Sequence, residues 1–215
     1  MKKDICAEFR KVKNRTIIGL TGAAASGKSA ALDRFRELGA FCVSTDSVTK
    51  ELLTSGTCCN ILLKRFGPGI FLKNGSIDRK KLAEEVFSDK SKRKLLESIL
   101  HPEILNHTLA LIQKSHENII VVEVPLLFEA GLEKCFALTV CVDAPGNLRL
   151  KRAAARGWTS AEFRRRDAAQ LTAGEKAVRA DVVIGNDGSL KDLRKKVDYL
   201  FKFLDGENKN GGKRN

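Results

Sequence analysis

The strongest constraint on the fold is a glycine-rich turn that lies between an apolar run and an amphipathic segment. Residues 22–29 read GAAASGKS, which fits the frame G-x-x-x-x-G-K-S. The preceding run, TIIGL at 16–20, predicts a short buried strand. The following segment, SAALDRFRELGA at 29–40, carries apolar residues at helical spacing and a glycine stop. A strand, a tight turn and a helix in this order predict one unit of a parallel α/β sheet.

The frame also predicts a site for phosphate groups, and residues 22–29 are called the phosphate loop below. Backbone N–H groups of such a loop turn inward, and the next helix points its positive end at the bound anion. Lys28 would reach the β- and γ-phosphates of ATP, and the Ser29 hydroxyl would ligate Mg²⁺. The frame does not identify the acceptor of the phosphate.

Four further apolar runs, rich in β-branched residues, predict four more strands. They lie at residues 40–45, 118–127, 137–144 and 181–186. Helical segments separate these runs, which predicts a five-stranded parallel sheet covered on both faces by helices. Together with the phosphate loop, this pattern predicts an α/β fold of the P-loop NTPase type.

A mostly helical block at 47–117 separates the second and third predicted strands. It is far longer than an ordinary crossover, which indicates an inserted subdomain. Such a block beside a phosphate loop favours a role in binding the second substrate, and a purely structural helical cap is the alternative. The last helix is expected to begin at Ser189, with Asp192 completing a capping box.

The chain length of 215 residues suits one domain, which we expect at 16–204. A basic extension at 1–15 would precede it, and a polar basic tail at 205–215 would follow. Both ends are expected to be frayed and solvated. No apolar stretch approaches the roughly 18 residues of a membrane span, and residues 1–15 lack the apolar core of a secretory signal. We therefore expect a cytoplasmic protein without a membrane partner.

The six cysteines form no C-x-x-C pair. They are Cys6, Cys42, Cys58, Cys59, Cys135 and Cys141. Scattered buried thiols in a reducing compartment are favoured over a metal or redox site.

The formal net charge of +13 attracts anions, and part of it is concentrated at residues 147–170. Arg149, Arg152 and Arg156 lie at i, i+3 and i+7 of one predicted helix, which Gly157 ends. A second helix starts at Thr159, with Glu162 placed for a capping box, and carries three further arginines. Two arginine-bearing helices joined by a tight turn favour a lid that closes over ATP. A solvated basic face and a nucleic-acid surface are the alternatives.

Three acidic residues follow predicted strands and are candidates for catalysis or metal binding. Asp46 follows the second strand, where it would orient or deprotonate an acceptor hydroxyl, or cap the next helix. Glu123 and Glu129 flank VPLLF on the third strand and the loop beyond it. Glu123 would hold the water shell of the metal or pair with a lysine, and it is a weaker candidate than Asp46.

From about residue 16 to residue 204 the chain resembles the dephospho-CoA kinases. The shared motifs are IIGLTGxxxSGKS, the strand-two Asp46, NGSIDRKKLAEEVF, LESILHPEI, VVEVPLLFEAGL, LRLKRAAARG and AQLTAGEKAVRADVVIGNDGSL, in the order of the family. The HP and PLLFE elements are specific to that family. The resemblance implies phosphorylation of the ribose 3′-hydroxyl of dephospho-CoA by ATP, with Mg²⁺. It implies no nucleic-acid partner, and a monomer is favoured.

The resemblance also implies roles for individual residues. Asp46 matches the catalytic base, supported by Lys28 and the lid residue Arg152. Contacts with ATP are implied for Gly22, Ala25, Ser26, Gly27, Lys28, Ser29, Ala30, Arg152, Arg156 and Asn186, the last of these in the adenine pocket. Contacts with dephospho-CoA are implied for Asp46, Asp78, Arg79, His101 and Glu129. The His101–Pro102 pair would alternatively shape a hinge, with Pro102 in the first turn of a helix.

The phosphate loop departs from the family pattern. Ala23 and Ala25 stand where the family usually has glycine, Ala30 replaces a threonine, and Ser44 replaces the first of two acids in strand two. The alanines are expected at negative φ, with room for a methyl group. Two alternatives remain: a P-loop kinase of another small metabolite such as a nucleoside or nucleotide, and a non-catalytic basic relative that binds nucleic acid.

Overall fold

The computed structural model describes residues 5–12 and 14–211, with side chains for all of these except 87, 88 and 207–211. Five strands form one sheet. They are β1 (Thr16–Thr21), β2 (Phe41–Ser44), β3 (Ile119–Glu123), β4 (Leu138–Asp143) and β5 (Val182–Gly185). All five predicted strands are confirmed. Strand β3 is shorter than predicted, since Pro125 has no N–H to donate to a ladder.

Ten α-helices connect and cover the strands of the described chain. They are α1 (Ile5–Arg10), α2 (Lys28–Glu37), α3 (Thr45–Leu52), α4 (Gly56–Phe66), α5 (Arg79–Ser88), α6 (Lys90–Lys114), α7 (Gly146–Ala155), α8 (Ser160–Ala168), α9 (Ala173–Arg179) and α10 (Leu190–Gly211). Short 3₁₀ turns lie at Pro68–Ile70 and Glu133–Cys135. Among residues 5–12 and 14–211, no helix combines the length and apolar character that crossing a bilayer requires.

The strands run in the order β2-β3-β1-β4-β5, and every neighbouring pair is parallel. In this register Glu123 of β3 lies opposite Leu20 on one side and Ser44 on the other. The carboxyl ends of β1, β2 and β3 therefore meet at one edge of the sheet, where the phosphate loop leaves β1. Ligands of open parallel sheets bind at this edge.

The main core lies between the sheet and the helices α2 and α10. Ile18 and Val121 of the sheet, Phe35 of α2 and Val197 of α10 are fully buried in it. Because the strands are covered by helices, their apolar runs are continuous and do not alternate with polar residues. The predicted cap of α10 is confirmed, since Ser189 and Asp192 exchange side chain-to-backbone hydrogen bonds.

A charged cluster joins α2 to α10 at the surface. Arg34 donates to Asp198 at 2.6 and 2.9 Å and to Glu37 at 2.8 Å, and Arg194 also pairs with Glu37. Hydrogen bonds from Arg34 hold the pKa of Asp198 and of Glu37 below their usual values. Both carboxylates are thus stabilised in the charged form by the folded protein.

Acid should weaken this junction. A carboxyl group with a lowered folded-state pKa contributes stability that is complete above its unfolded pKa and is lost as the pH falls through its folded pKa. We expect the urea concentration at the unfolding midpoint to decrease when the pH is lowered below about 4. The decrease should be smaller in Asp198→Asn than in the wild type. Identical pH profiles for the two proteins would contradict this.

Residues 45–111 form a compact unit of their own, and the other described residues form the unit that contains the sheet. In the smaller unit, Leu62 and Ile70 are buried in an apolar cluster that Leu100 completes. Ser55 caps α4, and Asp78 caps α5 by accepting from the N–H groups of residues 80 and 81.

The residues on both sides of His101 belong to one helix, α6, and Pro102 lies inside it. The expectation that Pro102 occupies the first turn of a helix is therefore wrong. A proline removes one helical hydrogen bond and crowds the preceding turn, but a long helix with flanking turns tolerates this cost. His101 is half-buried in the same helix.

The N-terminal segment differs from the expected frayed extension, because residues 5–10 form helix α1. Phe9 is 1% exposed and meets Phe136 edge to face at 6.0 Å between ring centroids. Cys6 forms a disulfide with Cys135. The prediction of six reduced thiols is thus wrong for these two cysteines, whose pairing depends on a helix that the sequence pattern did not reveal. The other four are free, and burial raises the pKa of Cys42 to about 12 and that of Cys141 to about 11.

Reduction should loosen α1. Breaking a crosslink that spans 129 residues of sequence is expected to cost about 2–4 kcal/mol in the free energy of unfolding. Urea titrations with and without a reductant measure this, and a Cys6→Ser/Cys135→Ser variant should show no response to the reductant. Alkylation of the denatured, unreduced protein should count four thiols, since Cys58 and Cys141 are buried in the folded chain, and a count of six would contradict the disulfide.

Candidate active site

The phosphate loop connects β1 to α2 through a series of residues with unusual backbone angles. Gly22 has a φ of 147°, Ala25 of 58° and Gly27 of 109°. The N–H of Ser26 donates to the carbonyl of Ala23 at 3.2 Å, which closes a tight turn within the loop. The strand–loop–helix unit predicted from the sequence is confirmed.

Ala25 corrects one expectation, since it lies at positive φ. A side chain in the left-handed region costs roughly 1–2 kcal/mol relative to glycine. The alanine methyl is 4% exposed and packs in an apolar cluster with Ala153 and Phe163. Contacts with the lid thus partly offset the strain in the loop. Ala23 and Ala24 do not adopt positive φ, as expected.

Two glycines of the loop cannot be replaced without collision. A Cβ on Gly22 would lie 2.3 Å from the carbonyl oxygen of Val142, and one on Gly27 would lie 2.1 Å from Nδ2 of Asn186. Both glycines also lie at positive φ. The close approach of the loop to Val142 and Asn186 therefore requires glycine at both positions.

Lys28 folds back across the opening of its own loop. Its Nζ donates to the carbonyls of Gly22 at 2.8 Å and Ala23 at 3.0 Å. Ser29 follows in the first turn of α2 and is exposed. Both residues lie where a phosphate group at the helix N-terminus would meet them.

Arg152 and Asn186 converge on one carbonyl of the phosphate loop. Nη1 of Arg152 donates to the carbonyl of Ser26 at 3.3 Å, and Nδ2 of Asn186 donates to the same oxygen at 2.7 Å. Nη2 of Arg152 also donates to the backbone oxygen of Asn186 at 2.9 Å. The structure therefore brings together three of the predicted ATP-binding residues.

The three arginines predicted for the first lid helix have different surroundings. Arg149 is 7% exposed and forms a two-pronged ion pair with Asp167 of α8, at 2.5 and 3.1 Å. Arg152 contacts the phosphate loop as described, and Arg156 is the exposed C-terminal cap of the helix. Arg149 is thus held within the protein, whereas Arg156 faces solvent. Asp167 was not among the predicted site residues, because its pairing depends on how α7 and α8 fold together.

The cap of α8 is simpler than predicted. The Thr159 side chain accepts from the N–H of Glu162 at 3.1 Å. The Glu162 carboxylate pairs with Arg166 at 2.8 and 3.0 Å, and Arg166 also lies over the ring of Trp158 at 4.4 Å. The reciprocal capping box occurs in α9, between Thr172 and Glu175.

Glu123 and Glu129 lie in different surroundings. Glu123 is 7% exposed at the end of β3. Glu129 pairs with the fully buried Lys176 at 3.0 Å, and Lys176 also donates to the carbonyl of Pro125 at 2.6 Å. The pairing with a lysine, which was the alternative predicted for Glu123, is thus seen at Glu129, where it was not predicted. Lys176 was not among the residues predicted from the sequence. The signal that could have revealed it is the position of a lysine on the inner face of α9.

The remaining predicted residues lie in the unit formed by residues 45–111. Asp46 is exposed in the first turn of α3, so it is not the N-cap of that helix, which begins at Thr45. Asp78 caps α5, and Nη2 of Arg79 donates to the carbonyl of Lys50 at 3.3 Å. Asp78 therefore has a structural partner, whatever it contacts in a substrate.

Comparison with known proteins gives a consistent result. The sequence model of the dephospho-CoA kinase family matches residues 16–192. A curated dephospho-CoA kinase from Chromobacterium violaceum is 40% identical over 190 residues, which covers 87% of this chain and 93% of that protein. Its counterpart from Bacillus licheniformis is 37% identical over 190 residues, covering 86% and 94%.

Solved structures agree. A protein from Thermus thermophilus superposes with a TM-score of 0.80 at 34% identity, over 89% of this chain and 99% of that one. A dephospho-CoA kinase from Campylobacter jejuni gives a TM-score of 0.67 at 29% identity, over 89% and 98%.

The parallel sheet with a G-x-x-x-x-G-K-S loop at its carboxyl edge defines a P-loop kinase, and the predicted fold class is confirmed. The chain belongs to the dephospho-CoA kinase family. It is therefore an enzyme, a phosphotransferase that uses ATP, and the resemblance inferred from the motifs is correct.

Proposed function

We propose that the chain transfers the γ-phosphoryl group of ATP to the ribose 3′-hydroxyl of dephospho-CoA, giving coenzyme A and ADP. The observation that carries this proposal is the convergence of Arg152 and Asn186 on the Ser26 carbonyl of the phosphate loop, in a chain of this family. These contacts join the lid and the end of β5 to the loop that would hold the phosphates.

The ATP phosphates would bind at residues 22–30. Backbone N–H groups of the loop and the N-terminus of α2 would bind the phosphate oxygens. Lys28 would exchange its two loop carbonyls for the β- and γ-phosphates. Asn186 would border the adenine.

Arg152 and Arg156 would complete the site from the lid. Arginine donates two parallel hydrogen bonds to phosphate oxygens, and its charge stabilises the negative charge that spreads over the transferring group. Closure of the lid would exclude water and limit wasteful hydrolysis of ATP.

Mg²⁺ would enter with ATP. Among the described residues, no group of three or more His, Cys, Asp or Glu side chains could hold a metal ion. The exposed Ser29 hydroxyl and the Glu123 carboxylate at the end of β3 nevertheless fit this ion. Mg²⁺ keeps several waters and takes substrate phosphates with one or two protein ligands. It would neutralise phosphate charge, with Ser29 as a direct ligand and Glu123 acting through water.

Asp46 would act on the acceptor. Its carboxylate would take the proton of the 3′-hydroxyl as that oxygen attacks the γ-phosphorus, while the bond to the β–γ bridging oxygen breaks and ADP leaves. Asp78, Arg79 and His101 of the helical block at 47–117, together with Glu129, are the proposed contacts with dephospho-CoA. The exposed position of Asp46 in the first turn of α3 supports access to a substrate.

An assay of ADP release tests the function. Dephospho-CoA and nucleoside monophosphates are each supplied as the phosphate acceptor, and their rates are compared. We expect dephospho-CoA to give the highest kcat/KM. Equal turnover of a nucleoside monophosphate would favour the kinase of another metabolite. Absence of ATP turnover with steeply salt-dependent binding of DNA or RNA would favour the nucleic-acid-binding alternative. The monomeric state and the cytoplasmic location stay predictions, and a disulfide such as Cys6–Cys135 is uncommon in that compartment.

A further inference from the structure

Two arginines of α7 contact alternate carbonyls of the phosphate loop. Nη1 of Arg149 donates to the carbonyl of Ala24 at 3.3 Å, and Nη1 of Arg152, one helical turn later, donates to the carbonyl of Ser26 at 3.3 Å. The residue between these carbonyls is Ala25, the loop residue at a φ of 58°. The arginine pair therefore brackets the strained position.

Asp167 fixes the orientation of Arg149. Its two carboxylate oxygens accept from Nη1 and Nη2 of Arg149 at 2.5 and 3.1 Å, and the guanidinium also lies 5.5 Å from the ring centroid of Phe163. The Arg149 side chain is 9% exposed. Because its charge is paired with that of Asp167 within the protein, Arg149 is poorly placed to bind phosphate. Its position suits a role in shaping the loop.

The need for such a role follows from Ala25. Glycine occupies positive φ without steric cost, whereas alanine disfavours it. A loop with alanine at this position tends to relax toward negative φ, which would turn the neighbouring carbonyls and N–H groups away from their present directions. Hydrogen bonds to the carbonyls on both sides oppose that relaxation.

We propose that Arg149, held by Asp167, is a positioning residue that maintains the phosphate loop in its nucleotide-binding shape despite alanine at position 25. The proposal rests on the assignment of residues 22–30 as the nucleotide site. Arg149 acts through the loop and not on the transferring phosphoryl group, so its loss should raise the KM for ATP more than it lowers kcat.

The distinctive consequence is coupling between positions 149 and 25. Arg149→Met keeps the length and packing of the side chain but removes its donors. In the natural background we expect this change to weaken ADP binding about ten- to a hundredfold. In the Ala25→Gly background the loop reaches positive φ unaided, and the same change should weaken binding about five- to thirtyfold less.

Calorimetric titration of the full chain with ADP and Mg²⁺ measures the affinity for ADP. The four proteins compared are the wild type, Arg149→Met, Ala25→Gly and the double variant. Arg36→Met removes an exposed surface arginine of α2 that pairs with Asp33, and it serves as the control in both backgrounds. It should change the affinity by less than about threefold. Asp167→Asn should also weaken ADP binding more in the natural background than in the Ala25→Gly background, by a smaller factor than Arg149→Met does. If Arg149→Met does not fold, as judged by circular dichroism, Asp167→Asn replaces it in the cycle.

Equal losses of affinity in the natural background and in the Ala25→Gly background would overturn the proposal, because a merely structural arginine would act independently of position 25. A fall in kcat at unchanged KM would also overturn it. Failure of the underlying assignment looks different: if residues 22–30 were not a nucleotide site, the wild-type chain itself would bind no ADP, and a different acceptor would appear only in the assay of ADP release.

Discussion

Replacing Asp46 with asparagine should lower kcat by about 10²–10⁴-fold, the usual contribution of a general base. Affinity for ATP should stay within about twofold of the wild type, because the proposed ATP contacts lie at residues 22–30 and in the lid. The asparagine has nearly the same shape but cannot accept the hydroxyl proton. Steady-state assays of ADP release at saturating dephospho-CoA, combined with ATP titrations, separate the two quantities.

Asp33→Asn is the matched control for Asp46. It makes the same chemical change on α2, at a carboxylate that is 64% exposed and pairs only with the neighbouring Arg36 in the described structure. We expect it to leave kcat and ATP affinity near their wild-type values. Turnover by Asp46→Asn at the rate of this control would show that Asp46 is not the base.

Replacing Gly27 with alanine should weaken ATP binding by about 100-fold or more. The new Cβ would lie 2.1 Å from Nδ2 of Asn186, which is 5% exposed and donates to the Ser26 carbonyl. Asn186 would have to move and leave buried polar groups without partners, which costs about 1–3 kcal/mol. The left-handed backbone at a φ of 109° adds a strain of roughly 1–2 kcal/mol.

Gly39→Ala separates backbone strain from the collision. Gly39 ends the same helix at a φ of 96°, and no atom lies within 4 Å of a Cβ built there. This variant should lose about 1 kcal/mol of stability and keep its affinity for ATP. If Gly27→Ala binds ATP as well as Gly39→Ala does, the contact between the loop and Asn186 is not needed for the nucleotide.

The sheet and the phosphate loop were predictable because their signals are local. An apolar run such as TIIGL specifies a buried strand wherever it lies, and the frame at 22–29 specifies its own turn and the start of α2. The motifs of the family then identified the acceptor. These features depend on residues that are neighbours in the chain, so they can be predicted from one sequence.

The features that were missed depend on residues brought together by folding. Arg149 and Asp167 are 18 positions apart, and Cys6 and Cys135 are 129 apart. No periodicity in the sequence links such partners. The φ of Ala25 was predicted with the wrong sign, because residue preferences favour negative φ for alanine. Its methyl group instead packs in an apolar cluster with Ala153 and Phe163 that exists only in the folded chain.

Trp158 gives the lid a natural optical reporter. It is the sole tryptophan of the chain, it packs against the apolar cluster of Ala24 and Ala25, and the Arg166 guanidinium lies 4.4 Å from its ring centroid. Movement of the lid away from the phosphate loop would expose the indole to water and change the wavelength and intensity of its emission. The proposed opening and closing can therefore be timed in the unlabelled enzyme, by mixing it rapidly with nucleotide and following a single fluorophore.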